Sequence, residues 1–244
     1  MADVAGPRTD EAAMAAEAYF ADLWRRASAE WRAGVITPAR MANGTTDPVD
    51  YCVSTIARLV AQPGAPLATV QDVQARLTTG CPGQFVYPAP SLHVSLLGCT
   101  PRRPSPESFG AEQIERIRAA CDRVLARSGP VVLDLRGVGV QGCQVFVQVV
   151  PRSDAWARLR LALEDALVDL GEQPIAYPDK RPIHLNVLRM TDTSASALER
   201  MLAAVAALRD APLGELTIAR VELVITDFVV SPRHVRILAT FDLR

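Results

Sequence analysis

The first run of apolar positions has helical spacing. From Asp10 to Arg32, Met14, Ala18, Ala21, Trp24 and Trp31 fall on one side of a helical wheel, and Asp10 followed by Glu11 suits its start. Gly34–Pro48 gathers Gly, Pro, Asn and Thr and reads as a loop. Residues 1–49 are therefore expected to be a helical extension packed on a main body of residues 50–244. In that body the period alternates. Tyr51–Ala61 reads as a strand and Leu67–Thr79 as a helix; Gln84–Tyr87 and Leu92–Leu97 read as short strands around Pro88 and Pro90. A helix over Glu107–Arg127 follows the Pro-rich Thr100–Pro106 and stops at Ser128-Gly129-Pro130. Val131–Val140 and Gln144–Val150, parted by Gln141-Gly142, form a hairpin pattern. Asp154–Leu170 is a helix ended by Gly171, Ile183–Leu188 a strand, and Ser194–Leu208 a helix. Leu216–Val229 and Val235–Leu243 read as two long closing strands around a tight turn at Ser231-Pro232-Arg233.

Hairpins mixed with helices, with no Gly-rich phosphate loop after the first strand, predict an α+β fold with antiparallel sheets and not a doubly wound nucleotide fold. The order helix, His-bearing strand, helix occurs twice, around Leu67–Arg127 and around Asp154–Leu208. That repetition predicts a pseudo-symmetric duplication.

Composition narrows the classes. The formal net charge of −1 supplies no global field for duplex DNA, while a small nucleotide or an RNA end remains compatible. Of the 26 basic residues only Lys180 is a lysine. Arginine suits bidentate phosphate binding, although GC-rich codon usage accounts for the enrichment equally well. Five cysteines without a C-x-x-C pair point away from a disulfide framework and from a structural zinc site. Met1 to Asp10 lacks a basic start and an apolar run, and the apolar stretch near Val221–Val230 is interrupted by Glu222 and Asp227. A cytoplasmic monomer without membrane attachment is the expectation.

Three histidines are present. Two lie in matching contexts, Leu92-His93-Val94-Ser95-Leu96 and Ile183-His184-Leu185-Asn186-Val187. On a strand, residues two apart share a face, so His93 pairs with Ser95 and His184 with Asn186, while the apolar neighbours turn to a core. A polar face on an apolar strand needs water, a partner or a ligand. Two imidazoles can act as base and acid, and the Ser95 hydroxyl and Asn186 amide can donate to phosphate oxygens. The set suits displacement at phosphorus without a metal. A zinc site using His93, His184 and His234 is the competing idea, but no pair has helix-ligand spacing and no carboxylate stands beside the histidines. His234, in Arg233-His234-Val235-Arg236, reads as a solvent-facing strand residue.

These two elements resemble the paired H-x-[S/T] signatures of the two-histidine phosphoesterase superfamily, which includes bacterial 2′-5′ RNA ligase-like proteins and cyclic nucleotide phosphodiesterases. Ser91-Leu92-His93-Val94-Ser95-Leu96-Leu97-Gly98 matches the first motif. His184-Leu185-Asn186-Val187-Leu188-Arg189 keeps a basic residue five after the histidine, and Val221–Leu243 is similar to the final strand pair. The resemblance spans Tyr51 to Arg244. It implies a bilobal fold with two antiparallel sheets flanking a central cleft, helices outside, and His93 and His184 on the cleft floor as acid and base. It further implies substrate contacts from Ser95 and Asn186, with Arg189 adding charge at the rim, and no cofactor or metal. Tyr87 and Tyr177 precede the two motifs and could stack on a base, although packing is the simpler role. Asn186 departs from the usual Thr or Ser, so a nucleotide- or RNA-end-binding module with weakened catalysis stands as the alternative to a cyclic phosphodiesterase or 2′-5′ hydrolase.

Overall fold

The computed structural model describes residues 8–175 and 183–244. Helix α1 spans Arg8–Arg32, and a small hairpin follows, with β1 over Met41–Ala42 and β2 over Thr45–Thr46. Then come β3 (Tyr51–Arg58), α2 (Leu67–Gly80), β4 (Phe85–Val86), β5 (His93–Gly98), α3 (Ala111–Leu125), β6 (Val131–Gln141) and β7 (Gln144–Pro151). The chain ends with α4 (Ala155–Val168), β8 (Ile183–Arg189), α5 (Ala195–Ala206), β9 (Pro212–Ile218), β10 (Arg220–Asp227) and β11 (Arg236–Asp242).

The fold is α+β and bilobal. The strands run in the order β11-β10-β3-β5-β8-β7-β6-β9, with β4 added beside β8, and the pairs are antiparallel. The two expected sheets are halves of this one array. They meet where β5 and β8 touch through a single recorded pair, Val94 with Leu185. Each half places its histidine strand at the seam, which is the pseudo-symmetry that the repeated element order predicts.

Alternation assigns each strand two faces. On one lie Val94, Leu185, Val145, Val147 and Val149, which join Val73 and Leu77 of α2, Ile117 of α3, Leu163 of α4 and Met201 of α5 in the main core. The buried residues of these helices recur every three or four positions, and burying each large apolar side chain is worth about 1.5–3 kcal/mol. The opposite face is covered differently in each half. Phe146 and Val150 of β7 pack under Ala16, Phe20 and Leu23 of α1, whereas Ile56 of β3 and Val224 of β10 pack under Val230.

Several sequence readings change. The buried stripe of α1 is Ala16, Phe20, Leu23, Ala27 and Trp31, not Met14, Ala18 and Ala21, which face solvent. Both stripes have helical spacing, and the one with Phe20 and Leu23 removes more apolar surface from water. The expected loop before Pro48 contains the hairpin of β1 and β2, turned by Asn43 and Gly44 at φ 52° and 81°. The helix expected from Glu107 begins at Ala111, after a single 3-10 turn at Pro106–Ser108.

The largest change concerns Leu216–Val229, read as one strand. It is two strands in opposite halves, broken at Ala219: β9 pairs with β6, and β10 with β3. No Gly or Pro marks the break. The Gln62 side chain satisfies it instead, its Oε1 accepting from the Ala219 and Arg220 amides (3.0 Å each) and its Nε2 donating to the Arg220 and Arg58 carbonyls. Gly137 marks a second bend. Its φ is 62°, and a Cβ there would lie 1.7 Å from the Arg209 carbonyl oxygen, so only glycine lets β6 kink against the chain after α5.

Gln62→Ala is expected to lower stability by about 2–3 kcal/mol, because a buried side chain with four backbone bonds is lost and two amides are left unpaired. Equilibrium unfolding in urea measures this. A change near zero would mean that the crossover does not depend on Gln62.

Candidate active site

Val94 and Leu185 are fully buried on the helical side of the seam. Period-two geometry therefore turns their neighbours His93, Ser95, His184 and Asn186 to the other side. Continuing the antiparallel register from that pair sets His93 across from Asn186 and Ser95 across from His184. All four line one cleft of about 360 Å³, together with Arg189. Residues 91 positions apart in sequence thus share one floor. Tyr177 lies outside the described residues.

His93 is 8% exposed, and its Nδ1 lies 2.7 Å from the Ser91 carbonyl oxygen. A carbonyl only accepts, so Nδ1 carries the proton and Nε2 keeps a lone pair. Burial pushes the His93 pKa below its ordinary value. The Ser91 bond and the Asp227 charge oppose that shift, and the Arg189 and Arg58 charges reinforce it. The ring is accordingly neutral near pH 7, the protonation state of a base.

His184 is set differently. It is half-buried, and the ring of Phe146 lies against it with centroids 5.1 Å apart. Phe146 is itself buried. A Cβ on Gly139, its partner across the strand pair, would come within 2.8 Å of the Phe146 ring, so glycine makes room for it. On its other side Phe146 faces Asn186 across β7 and β8. The Asn186 Oδ1 is buried with no hydrogen-bond partner among the described residues. A buried unpaired carbonyl costs about 1–3 kcal/mol, so its position beside the cleft calls for an explanation.

Arg189 is not at the rim. It is 4% exposed, and its Nε donates 2.7 Å to the Tyr87 hydroxyl. Its guanidinium sits 4.5 Å over the Phe228 ring, and that of Arg102 lies 4.3 Å from the same ring. Burial pushes the Tyr87 hydroxyl up to about 12, so it stays neutral, and with 1% exposure Tyr87 packs and offers no stacking surface. No carboxylate stands among the described lining residues, while Arg102, Arg160 and Arg189 do. The described lining of the cleft thus carries three guanidinium groups.

Tyr19, Arg102, Arg160, Gln144 and Phe228, all outside the two histidine motifs, also line the cleft. Arg102 carried a signal, since it follows closely on the first histidine strand. Tyr19 carried none, because a helix docking from far away leaves no local trace. His234 is a turn residue, not a strand residue. Its ring stacks on Tyr51, whose hydroxyl lies 2.6 Å from His234 Nδ1, and it is not among the residues lining the cleft. Among the described residues no group of three His, Cys, Asp or Glu could hold a metal ion, and no helix is long and apolar enough to cross a membrane.

No protein-family model and no curated protein sequence matches the chain. Solved structures do. TT0787 of Thermus thermophilus matches at 18% identity over 79% of this chain and 98% of that one, with a TM-score of 0.58. A phosphoesterase matches at 16% identity over 79% and 97%, with a TM-score of 0.54. E. coli LigT complexed with 3′-AMP matches at 15% identity over 80% and 98%, with a TM-score of 0.51. Nearly the whole length of each of these proteins is covered by the match, and the chain has a LigT-like fold.

Proposed function

We propose that this protein is a metal-independent phosphodiesterase of the two-histidine superfamily, hydrolysing a cyclic phosphate or a 2′-5′ phosphodiester of a small nucleotide or RNA end. The observation that carries the reading is the convergence of His93 and His184, each with a hydrogen-bonding neighbour two residues on, in one arginine-lined cleft. The phosphoesterase fold supports it. The binding of 3′-AMP by E. coli LigT supports a nucleotide as ligand.

In this mechanism neutral His93 accepts a proton at Nε2 from a water that attacks phosphorus. His184 enters as the imidazolium and gives its proton to the leaving ribose oxygen as the P–O bond breaks. The products are a phosphate monoester and a free hydroxyl, and the two rings exchange protons with solvent before the next turnover. Ser95 and Asn186 donate to nonbridging oxygens, and the Arg189 charge stabilises the additional negative charge of the transition state. Two imidazoles supply both proton transfers, so the scheme requires no metal.

His93→Ala and His184→Ala are each expected to lower kcat by about 10²–10⁴-fold while the circular dichroism spectrum is unchanged. A panel of cyclic nucleotides and of 2′-5′ and 3′-5′ dinucleotides, assayed with EDTA present, tests this and identifies the substrate. Near-wild-type turnover in either variant would rule the mechanism out.

The pH dependence follows from the direction of the His93 shift. A base must be unprotonated, and burial lowers this ring's pKa. Activity should therefore persist below about pH 6.5, where an ordinary imidazole is half protonated, and fall only at lower pH. Arg189→Met removes a charge that disfavours the imidazolium, so the His93 midpoint, followed by NMR, should rise. A midpoint at or above the ordinary value in the wild type would contradict the assignment of His93 as base.

The unpartnered Oδ1 of Asn186 favours a second reading, a nucleotide- or RNA-end-binding module with weakened catalysis. Asn186→Thr separates the two. A rate gain of about tenfold or more, the scale of one restored transition-state contact, would mark decayed catalysis. An unchanged or lower rate would mark an enzyme adapted to the amide.

A further inference from the structure

Helix α1 reaches the cleft from outside the segment that resembles the superfamily, and it does so in three ways. Tyr19 lines the cleft and is half-buried, so part of its ring is open. Phe20 is 3% exposed, with its ring centroid 6.0 Å from that of Phe146, which lies 5.1 Å from His184. At the far end of the helix the Trp31 indole donates 2.8 Å to the carbonyl of Gly142, whose turn also lines the cleft. The helix is fixed in place by Glu17, paired with Arg136 at 2.7 Å, and by Arg209, which donates to the Phe20 carbonyl. Tyr19 is held against Phe20 edge to face, with centroids 5.8 Å apart.

The floor of the cleft holds the groups suited to a phosphate, whereas Tyr19 offers an aromatic surface. A cavity of about 360 Å³ lies at the small end of the range for ligand sites, larger than phosphate alone requires. Aromatic side chains stack on nucleobases irrespective of base identity. The ring of His184 rests on Phe146, and Phe146 is pressed on its open side by Phe20, so the helix also bears on the histidine.

We propose that α1 is a working wall of the cleft. Tyr19 offers its ring to the base of a nucleotide whose phosphate lies at His93 and His184, and Phe20, acting through Phe146, is a positioning residue for His184. What the cleft holds rests on the phosphoesterase reading above; the contact from Phe20 through Phe146 to His184 does not.

The test uses the full chain as wild type, Tyr19→Ala, Phe20→Ala and Phe20→Leu. Calorimetry measures binding of 3′-AMP and of inorganic phosphate, and NMR follows the ring signals of His93 and His184 across pH. Tyr19→Ala should weaken 3′-AMP about tenfold and leave phosphate within about twofold. Phe20→Ala should shift the His184 ring signals and its titration midpoint while those of His93 stay in place, and Phe20→Leu, which refills the space, should restore most of the change. Equal losses for both ligands, or none for either, would overturn the role of Tyr19. A His184 ring that does not respond to Phe20→Ala, or that shifts together with His93, would overturn the role of Phe20. Should the wild type bind neither ligand, the phosphoesterase reading and the Tyr19 role fall together, and the His184 signals still decide the role of Phe20.

Discussion

The arrangement of the cleft depends on one backbone pairing, Val94 with Leu185. Strand side chains alternate, so sending those two residues into the helical core sends His93, Ser95, His184 and Asn186 to the opposite face. A slip of one residue would invert every position of the strand that slipped. In β8 it would expose Ile183 and Val187 and force His184 and Asn186 into hydrocarbon, and in the β5 segment it would do the same to Leu92 and Leu96 with His93 and Ser95. Burial of each large apolar side chain is worth about 1.5–3 kcal/mol, and each unpaired polar group costs a similar amount, so both terms hold the register. The core and the cleft are thus specified by the same constraint.

The buried guanidinium of Arg189 has a different logic. Among the described residues no carboxylate pairs with it; its neighbours are the Tyr87 hydroxyl, the Cys143 sulfur and the Phe228 ring. Elsewhere in the sheet Arg58 follows the ordinary pattern, held by Glu222 through bonds of 2.5 and 2.7 Å that raise its pKa. A buried cation with only neutral partners costs folding free energy, because neutral dipoles and an aromatic face offset the lost hydration only in part. An anion in the cleft would supply the missing counter-charge without the protein having to break an internal ion pair first. The same positive field disfavours a second positive charge on His93, so an anion held in the cleft would favour protonation of that ring.

Local sequence revealed the strands and helices of the body and the two histidine motifs, because alternation and helical spacing are read over a few residues. It failed where long-range contacts decide. The stripe of α1 was ambiguous until the sheet supplied Phe146 as a partner for Phe20. Leu216–Val229 is uniformly strand-like, and only the side chain of Gln62, from 157 positions away, shows where the chain leaves one half for the other. Arg189 was visible as a basic residue after the second motif, but its burial is set by Tyr87 and Phe228, which come from other segments. The pairing of Tyr51 with His234 was equally invisible, since strand composition around His234 resembles its neighbours.

Duplication alone would leave the two histidines equivalent, and equivalent rings make a poor acid and base pair. The two halves have diverged in what covers the cleft face. Around His93 the Ser91 carbonyl fixes the tautomer, while burial and the Arg189 and Arg58 charges favour the neutral ring. Around His184 there is an aromatic wall, Phe146, backed by Phe20 of a helix that the other half does not have. Groups of one chemical type take separate acid and base roles when their surroundings push their proton affinities apart. Here the strand pattern places both rings by symmetry, and the unequal covering elements give them different surroundings. Helix α1, which lies outside the duplicated motifs, is thus what makes the surroundings of the two rings unequal.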